Sequence, residues 1–188
     1  MFKNFEFETS VSGTTNMKTS KAKKVLVKLK TQYPRLEEEK VFDEMFGNVK
    51  KNPLKVVQVH GHIQFLLVDG STAAFYNHRD GPFMPALRTL YKYPGMMPQV
   101  QVDKGAIRHI LRGSDVMCPG LTSAGGKMPE EPLEEGTPVA IYAEGKTHPL
   151  AVGVLKMSTE NIKTLNKGIA IGDVHHLDDG LWKNPEYD

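Results

Sequence analysis

The segment from Val102 to Leu121 constrains the fold most, because it carries the signals for both ends of one short helix. Asp103 is a suitable N-cap, since its carboxylate can accept hydrogen bonds from the free N–H groups of the first turn. Gly113 stands where helices commonly end on a residue with positive φ. Four apolar residues between them are spaced to share one helix face: Ala106, Ile107, Ile110 and Leu111. The pattern predicts a short amphipathic helix, then a short strand and a turn at Pro119-Gly120.

Three basic residues recur at four-residue steps along this segment: Lys104, Arg108 and Arg112. They form a stripe on the side opposite the apolar face. Two interpretations stay open, namely the solvated face of an ordinary amphipathic helix and a surface that contacts phosphates. The glycine-rich loop that follows contains Lys127, which either follows an RNA backbone or belongs to an ordinary surface turn.

This part of the chain resembles a PUA domain, the small RNA-binding β-barrel of pseudouridine synthases and archaeosine transglycosylases. The family pattern has a Gly-Ala pair at the helix start, a glycine after the helix, and a strand that ends in Pro-Gly. The matching residues are Gly105, Ala106, Gly113, Pro119 and Gly120. Further along, Gly153 resembles the glycine of an Ala-x-Gly strand, and residues 167–170 with His175 and Asp178 resemble the closing strands.

Charge is divided unevenly along the 188 residues. Residues 1–97 carry 15 Lys and Arg against 9 Asp and Glu, a net charge of +6, whereas residues 98–188 carry 9 against 13, a net charge of −4. Bulk attraction to a polyanion should therefore come from the first half. The second half would need a local basic patch. The single cysteine, Cys118, excludes an intrachain disulfide and a cysteine-rich zinc cluster.

The first half should contain an amphipathic helix over residues 20–33. Ser20 is its expected N-cap, and Pro34 should end it. Lys21, Lys24 and Lys28 form a stripe on this helix. The stripe is either a solvated face or a phosphate-binding face, and the sequence alone does not decide between them.

A second helix is expected over residues 36–46, with Glu37, Glu38 and Glu39 at its start and Gly47 at its end. Three strands should follow as a meander over residues 54–60, 63–68 and 72–77, and a short helix over 85–93. The domain boundary is placed near residue 97, which gives an N-terminal α+β domain over 1–97.

The rest of the chain, residues 98–188, should fold as a small barrel. Expected strands cover residues 139–143, 150–155, 169–171 and 174–177. The fold class is α+β, with a small antiparallel sheet in the first domain followed by a PUA-type pseudo-β-barrel.

Motifs for catalysis or metal binding fail on inspection. The loop Gly120–Lys127 departs from a phosphate-binding P-loop because Gly126 intervenes before the lysine and Met128 follows it. His175 and His176 are neighbours in a strand and should point to opposite faces, so they should not chelate a metal together. We therefore expect no metal, no cofactor and no catalytic residue. Trp182 is expected to pin the chain end to the core, with base stacking as the alternative.

The whole chain also resembles the malignant T-cell-amplified sequence family of translation factors. The strings that carry this resemblance are Gly81-Pro82-Phe83, Pro85-Ala86-Leu87-Arg88, Lys92-Tyr93-Pro94, residues 101–107, residues 117–123 and Asp179-Gly180-Leu181-Trp182. The resemblance implies a pre-PUA domain joined to a PUA domain. It also implies binding to small ribosomal subunit RNA and the tRNA acceptor end, with a density-regulated-protein homologue as partner.

The implied roles are non-standard initiation, reinitiation and post-termination recycling, by a non-enzymatic cytoplasmic protein. No signal peptide or membrane-spanning run is expected. The residues expected to touch RNA are Lys104, Arg108, Arg112, Lys127, Lys21, Lys24 and Lys28. Two other classes remain open: an RNA-modification enzyme or accessory subunit that holds its substrate with the PUA domain, and a protein-only adaptor.

Overall fold

A computed structural model describes residues 1–38 and 40–187, and these divide into two units. The N-terminal unit consists of residues 5–96 together with those from Asn184 onward, and the C-terminal unit consists of residues 1–4 and 97–183. Each unit therefore takes a few residues from the opposite end of the chain. The sequence-based division at residue 97 did not include this exchange, and as a statement about domains it stays a prediction.

The N-terminal unit is built on an antiparallel sheet with the strand order β1-β2-β3-β4-β5. Its strands are β1 (Val11–Asn16), β2 (Lys55–Val59), β3 (Ile63–Val68), β4 (Thr72–His78) and β5 (Met84–Pro85). Its helices are α1 (Phe7–Ser10), α2 (Thr19–Gln32), α3 (Pro34–Glu38), α4 (Val41–Phe46) and α5 (Leu87–Lys92). The core includes Phe65, Leu66 and Phe75 from the sheet with Leu29 and Leu87 from the helices, all fully buried.

Helix α2 has the predicted apolar face but starts earlier than predicted. Ala22 and Leu29 are buried on that face. Lys18 occupies the N-cap position without a side-chain hydrogen bond. The prediction of Ser20 as N-cap was wrong, because Ser20 already lies inside the first turn of the helix. Pro34 follows the end of α2, as expected from its missing N–H, and opens α3.

The helix predicted over residues 36–46 is two helices, α3 and α4. Lys40 lies between them with φ of 55°, a left-handed conformation that a continuous α-helix does not accommodate. Glu39 lies outside the described residues. Gly47, with φ of 52°, ends α4 as predicted.

The predicted meander is confirmed and is extended by one strand at each edge. β3 has the predicted bounds, and β2 and β4 lie within a residue of theirs. The short helix α5 was predicted two residues too early, because Met84 and Pro85 pair with β4 as β5. β1 was missed because its sequence, Val-Ser-Gly-Thr-Thr-Asn, has one apolar residue and its side chains are mostly exposed.

The C-terminal unit contains a second sheet with the order β6-β8-β9-β10-β7. The first pair is parallel and the others are antiparallel. Its strands are β6 (Gln99–Val102), β7 (Val116–Met117), β8 (Pro138–Ala143), β9 (Ala151–Leu155) and β10 (Ile169–His176). Its helices are α6 (Lys104–Ile110), α7 (Pro119–Thr122), α8 (Thr159–Leu165) and α9 (Gly180–Lys183). The sheet curls around one apolar core that includes Val102, Ile141, Ala151 and Ile171.

Three local predictions for this unit were wrong. Leu111 is 40% exposed, because α6 ends at Ile110 and Leu111 caps it instead of continuing the buried face. Pro119 and Gly120 begin α7, with proline at a helix start where its missing N–H costs nothing, and do not form a turn. The two strands predicted over residues 169–177 are one strand, β10, with an irregularity between Gly172 and His175.

Among the described residues, no helix combines the length and the apolar character needed to cross a membrane.

Candidate nucleic-acid interface

Helix α6 is held by its predicted cap. Oδ1 of Asp103 accepts a hydrogen bond from the backbone N–H of Ala106 at 2.9 Å. Oδ2 accepts from the hydroxyl of Ser123 at 2.6 Å. The hydrogen bond from Ser123 and those from the backbone lower the pKa of Asp103, so the carboxylate stays ionised. Gly113 has φ of 90°, which confirms its predicted role after the helix.

A groove of about 820 Å³ lies beside α6. Its walls come from α6, from residues 113–117 and from the start of α7, with Ile169 at one side. Met117 and Ile169 are paired across β7 and β10, and they are 50% and 41% exposed. Exposed apolar side chains that line a groove can contact the face of an unstacked base, and a cation close by can contact its phosphate. Arg108 lines the same groove and is exposed.

The three basic residues of the α6 segment are all exposed, but the structure places only Arg108 among the residues that line this groove. Lys104 lies in the first turn of α6, and Arg112 lies after the end of the helix. The Nε of Arg108 lies 3.4 Å from Nε2 of His109, a long contact that leaves the guanidinium facing solvent for other partners.

Lys127 lines a different and smaller groove, of about 250 Å³. Its backbone is fixed against β6 by two hydrogen bonds with Gln101, of 2.7 and 2.8 Å. Tyr142 and Lys146 line this second groove as well. Arg108 and Lys127, which were grouped together on sequence, therefore line separate grooves of the C-terminal unit.

The lysine stripe on α2 is exposed at all three positions, Lys21, Lys24 and Lys28. The ammonium group of Lys28 lies 5.5 Å from the centre of the Phe83 ring, a cation–π distance. Lys30 behaves differently, because its ammonium group lies 2.8 Å from a carboxylate oxygen of Glu37. The hydrogen bond with Glu37 raises the pKa of Lys30, whose charge is thus partly compensated within the unit.

Close packing requires a glycine at one position of the PUA pattern, Gly153, and not at Gly120. A Cβ on Gly153 would lie 2.5 Å from Cγ2 of Ile171 and 3.0 Å from the carbonyl oxygen of Gly172. A Cβ on Gly120 would meet Cβ of Ala106 at 3.5 Å, an ordinary contact. Ala106, Pro119 and Gly105 lie at the starts of α6 and α7 and line the large groove. These motif residues shape the site rather than supply its charges.

Cys118 is fully buried, as expected, and burial raises the pKa of its thiol. In the part of the chain that the structure describes, no group of three or more His, Cys, Asp or Glu side chains is arranged to hold a metal ion. His175 and His176 are both buried, and they serve the packing of this unit.

Sequence reasoning missed four residues of these surfaces: Met117, Ile169, Tyr142 and Lys146. Met117 and Ile169 read as ordinary strand residues, and nothing local marks them as exposed. Tyr142 had a usable sequence signal, because it is the polar-tipped residue between apolar Ile141 and Ala143 in a predicted strand, and the structure places it half-buried between those two buried residues. Its neighbourhood depends on the pairing of β8 with β6, and β6 was not predicted.

Comparison with known proteins finds the same two domain types along the chain that the resemblance implied. The sequence profile of the PUA domain matches residues 98–177, and that of the Pre-PUA-like domain matches residues 5–94. The chain is 46% identical over 189 residues to malignant T-cell-amplified sequence 1 of Danio rerio, covering 100% of this chain and 99% of that protein. It is 47% identical over 184 residues to the malignant T-cell-amplified sequence 1 homolog of Drosophila melanogaster, covering 98% of each.

The fold also matches a solved structure, that of a hypothetical protein from the hyperthermophilic archaeon Pyrococcus horikoshii. The TM-score is 0.68 at 27% sequence identity, covering 91% of this chain and 98% of that one. The predicted fold class, α+β with a small antiparallel sheet and a PUA-type barrel, is confirmed.

Proposed function

The chain belongs to the malignant T-cell-amplified sequence family, and from this premise we propose that it is a non-catalytic, RNA-binding translation factor. The observation that carries the proposal is correspondence over the full length: relatives of that name align with 97% or more of this chain and of their own sequences. The order of the two profiles, Pre-PUA-like before PUA, adds support.

In this proposal the large groove beside α6 receives the acceptor end of a tRNA. That end is single-stranded, so its bases are free to lie on a protein surface. The exposed pair Met117 and Ile169 offers an apolar floor, and Arg108 offers a cation at the wall. Lys104 and Arg112, which precede and follow Arg108 by four residues in the sequence, contact the tRNA phosphates next to the bound end.

The α2 stripe is proposed to contact the RNA of the small ribosomal subunit. Support comes from three exposed lysines on one helix and from the net charge of +6 in residues 1–97. Affinity from such contacts arises largely by counterion release, so it should fall steeply as salt is raised. The factor acts in the cytoplasm with a density-regulated-protein homologue, in non-standard initiation, reinitiation and post-termination recycling.

The test is co-sedimentation of the full chain with small ribosomal subunits across a salt series, with and without the partner homologue and deacylated tRNA. One variant combines Lys104→Glu, Arg108→Glu and Arg112→Glu, and a second combines Lys21→Glu, Lys24→Glu and Lys28→Glu. A matched control reverses three exposed lysines outside both grooves: Lys163, Lys167 and Lys183. Loss of three phosphate contacts should lower the magnitude of the salt slope by about two.

The α6 variant should weaken the tRNA-dependent part of the binding, and the α2 variant should weaken binding to the subunit itself. The control should bind as the parent does. Absence of binding by the folded parent chain in every combination at low salt would overturn the proposal. Equal losses in all three variants would overturn the assignment of the two stripes while leaving general electrostatic binding in place.

The non-catalytic part of the proposal has a separate test. Purified chain is incubated with total tRNA, and the nucleosides are then analysed by mass spectrometry. We expect no change in any nucleoside. A modified nucleoside that appears only in the presence of the chain would move the function to RNA modification.

A further inference from the structure

The proposed function assigns no ligand to the smaller groove of the C-terminal unit, which Lys127, Tyr142 and Lys146 line. Lys127 pairs with Gln101 in an antiparallel bridge, and Gln101 pairs with Tyr142 across the parallel strands β6 and β8. Residues paired across a sheet project to the same face. Lys127, Gln101 and Tyr142 therefore form a row on one face, in which Lys127 and Tyr142 are two strand spacings, roughly 10 Å, apart.

This face is directed outward. Val100 and Val102 of β6 are buried in the core, whereas Gln99 is exposed and Gln101 is half-buried. On β8, Ile141 and Ala143 are buried and Tyr142 between them is half-buried. Ala140, on the same face of β8 as Tyr142, is also buried, so the alternation on β8 is partial. The row itself is accessible to a ligand, because Lys127 is exposed and Gln101 and Tyr142 are half-buried.

The side chains around the groove suit a nucleotide. Tyr142 supplies an aromatic ring, and burial raises the pKa of its phenol, which stays neutral. Lys127 and Lys146 supply two exposed ammonium groups from segments 19 residues apart in the sequence. The Nε2 amide of Gln101 donates to the carbonyl oxygen of Gly125 at 2.7 Å, which fixes this side chain beside the ring.

The lining residues contain no carboxylate, and the structure describes all of them: Gln99, Val100, Gln101, Lys127, Met128, Pro129, Tyr142 and Lys146. This is notable in the half of the chain whose net charge is −4. Glu144 lies just outside this lining, with its carboxylate against Gly125, so the lining itself, with two cations and one ring, is a local exception to the charge of the surrounding unit. Such an exception favours an anionic ligand that carries a flat ring.

We propose that this groove binds one nucleotide of single-stranded RNA, with its base stacked on Tyr142 and its flanking phosphates near Lys127 and Lys146. The inference rests on the proposed function only in assuming that the chain meets RNA, and it adds a second contact separate from the groove beside α6. Stacking on an aromatic ring tolerates any base, so the site adds affinity without sequence preference.

The experiment measures fluorescence anisotropy of a labelled single-stranded oligoadenylate of about twelve nucleotides with the full chain. Tyr142→Leu keeps an apolar side chain but removes the ring, and Tyr142→Phe keeps the ring. Tyr142→Leu should raise the dissociation constant about tenfold, whereas Tyr142→Phe should bind as the parent does. Lys127→Gln and Lys146→Gln should each lower the magnitude of the salt slope by about 0.7. Lys163→Gln, an exposed lysine of the same unit, is the matched control and should leave the slope unchanged.

The inference is overturned if Tyr142→Leu binds as tightly as the parent, or if Lys163→Gln loses as much as Lys127→Gln. Competition with adenosine monophosphate distinguishes a site for one nucleotide of an RNA strand from a site for a free nucleotide. If the free nucleotide occupies the groove as strongly as the oligonucleotide does, the groove is a nucleotide site and not an RNA contact. Trp182, the single tryptophan of the chain, belongs to the C-terminal unit, and its emission checks that each variant is folded.

Failure of this inference can be distinguished from failure of the proposed function. The same Tyr142→Leu variant is carried through the ribosomal co-sedimentation. Unchanged oligonucleotide binding by Tyr142→Leu, together with co-sedimentation that the α6 and α2 reversals weaken, would reject the second groove and retain the translation-factor proposal. If the parent binds neither oligonucleotide nor subunit, both proposals fall.

Discussion

In the C-terminal unit, Nδ1 of His175 lies 2.7 Å from Oδ2 of Asp179, and each of the two residues is only 1% exposed. The same carboxylate accepts backbone hydrogen bonds from His176 and Trp182, each at 3.0 Å. Asp179 thus ties the end of β10 to the start of α9 with three donors. The Phe2 ring packs edge-on against the imidazole, with ring centres 5.6 Å apart.

Replacing Asp179 with asparagine should destabilise this unit by about 3 kcal/mol, because the buried donors of His175, His176 and Trp182 lose their charged acceptor. The NH2 group of asparagine would also face the N–H groups that now donate to the carboxylate. The measurement is urea unfolding followed by Trp182 emission, which reports on the C-terminal unit. The matched control is Asp178→Asn, because Asp178 is an exposed neighbour paired with Lys183 at 3.1 Å. This control should shift stability by less than about 0.5 kcal/mol, and an equal loss in both variants would contradict the buried role of Asp179.

The same pair should make the unit less stable as the pH falls. Burial lowers the pKa of His175 below its usual 6.5, and the nearby charges of His176 and the terminal amino group act in the same direction, although Asp179 opposes them. The unfolded chain therefore binds a proton at His175 at a pH where the folded chain does not, and stability is lost as the pH falls below 6.5.

Protonation of Asp179 causes a second loss of stability at lower pH. Burial alone would raise the pKa of its carboxyl, but the hydrogen bonds from His175, Trp182 and His176 outweigh burial and lower it below 3.8. Its contribution is present above that value and is lost as the pH falls through the folded pKa. Melting temperatures read from Trp182 emission should fall between about pH 7 and pH 5 and again below pH 3.8. His175→Gln should flatten the upper part of the profile, and a parent profile that is already flat there would contradict the assignment.

The N-cap of α6 should contribute about 1 kcal/mol to the free energy of unfolding. Asp103→Ala removes the acceptor for Ala106 and for Ser123, and loss of a helix N-cap typically costs about that amount. Asp103→Asn retains an acceptor oxygen and should recover most of the loss. The check is the unfolding midpoint of the C-terminal unit. If the alanine and asparagine variants are equally destabilised, the negative charge matters more than the acceptor.

Two glycines of the PUA pattern should respond differently to alanine. Gly153→Ala should destabilise by about 1–3 kcal/mol, because the new methyl group would overlap Ile171 in a packed sheet. Gly120→Ala should be close to neutral, since its Cβ would meet neighbours no nearer than 3.5 Å. Both variants are measured by unfolding under identical conditions. A larger loss at Gly120 than at Gly153 would show that the packing does not decide this motif.

Local signals predicted much of the fold, because they act within a few residues. The cap at Asp103, the stop at Pro34 and the positive φ of Gly113 depend on backbone chemistry that the sequence displays directly. Failures occurred where a distant partner decides the conformation. β1 pairs with β2 although its own segment has no strong pattern. β6 alternates glutamine and valine over only four residues, too short a signal on its own, and it pairs with β8.

The candidate site divides in the same way. Arg108 was predicted from its spacing on a helix, and it lines the large groove. Lys127 was grouped with Arg108 because the two are close in the sequence, but the pairing with Gln101 carries it to another surface. Tyr142 and Lys146 join Lys127 only through the order of strands in the sheet, which no local pattern displays.

The exchange of chain ends has a practical meaning for anyone who studies one half of this protein. A cut at residue 97 would give two incomplete fragments: the first without the residues from 184 onward, and the second without Phe2. The second fragment would lose the ring that packs on His175, and the first would lose Tyr187, whose N–H donates to Ser71. Complete fragments therefore require two changes besides the cut: residues 1–4 must be joined to the C-terminal fragment, and the residues from Asn184 onward must be joined to the N-terminal fragment.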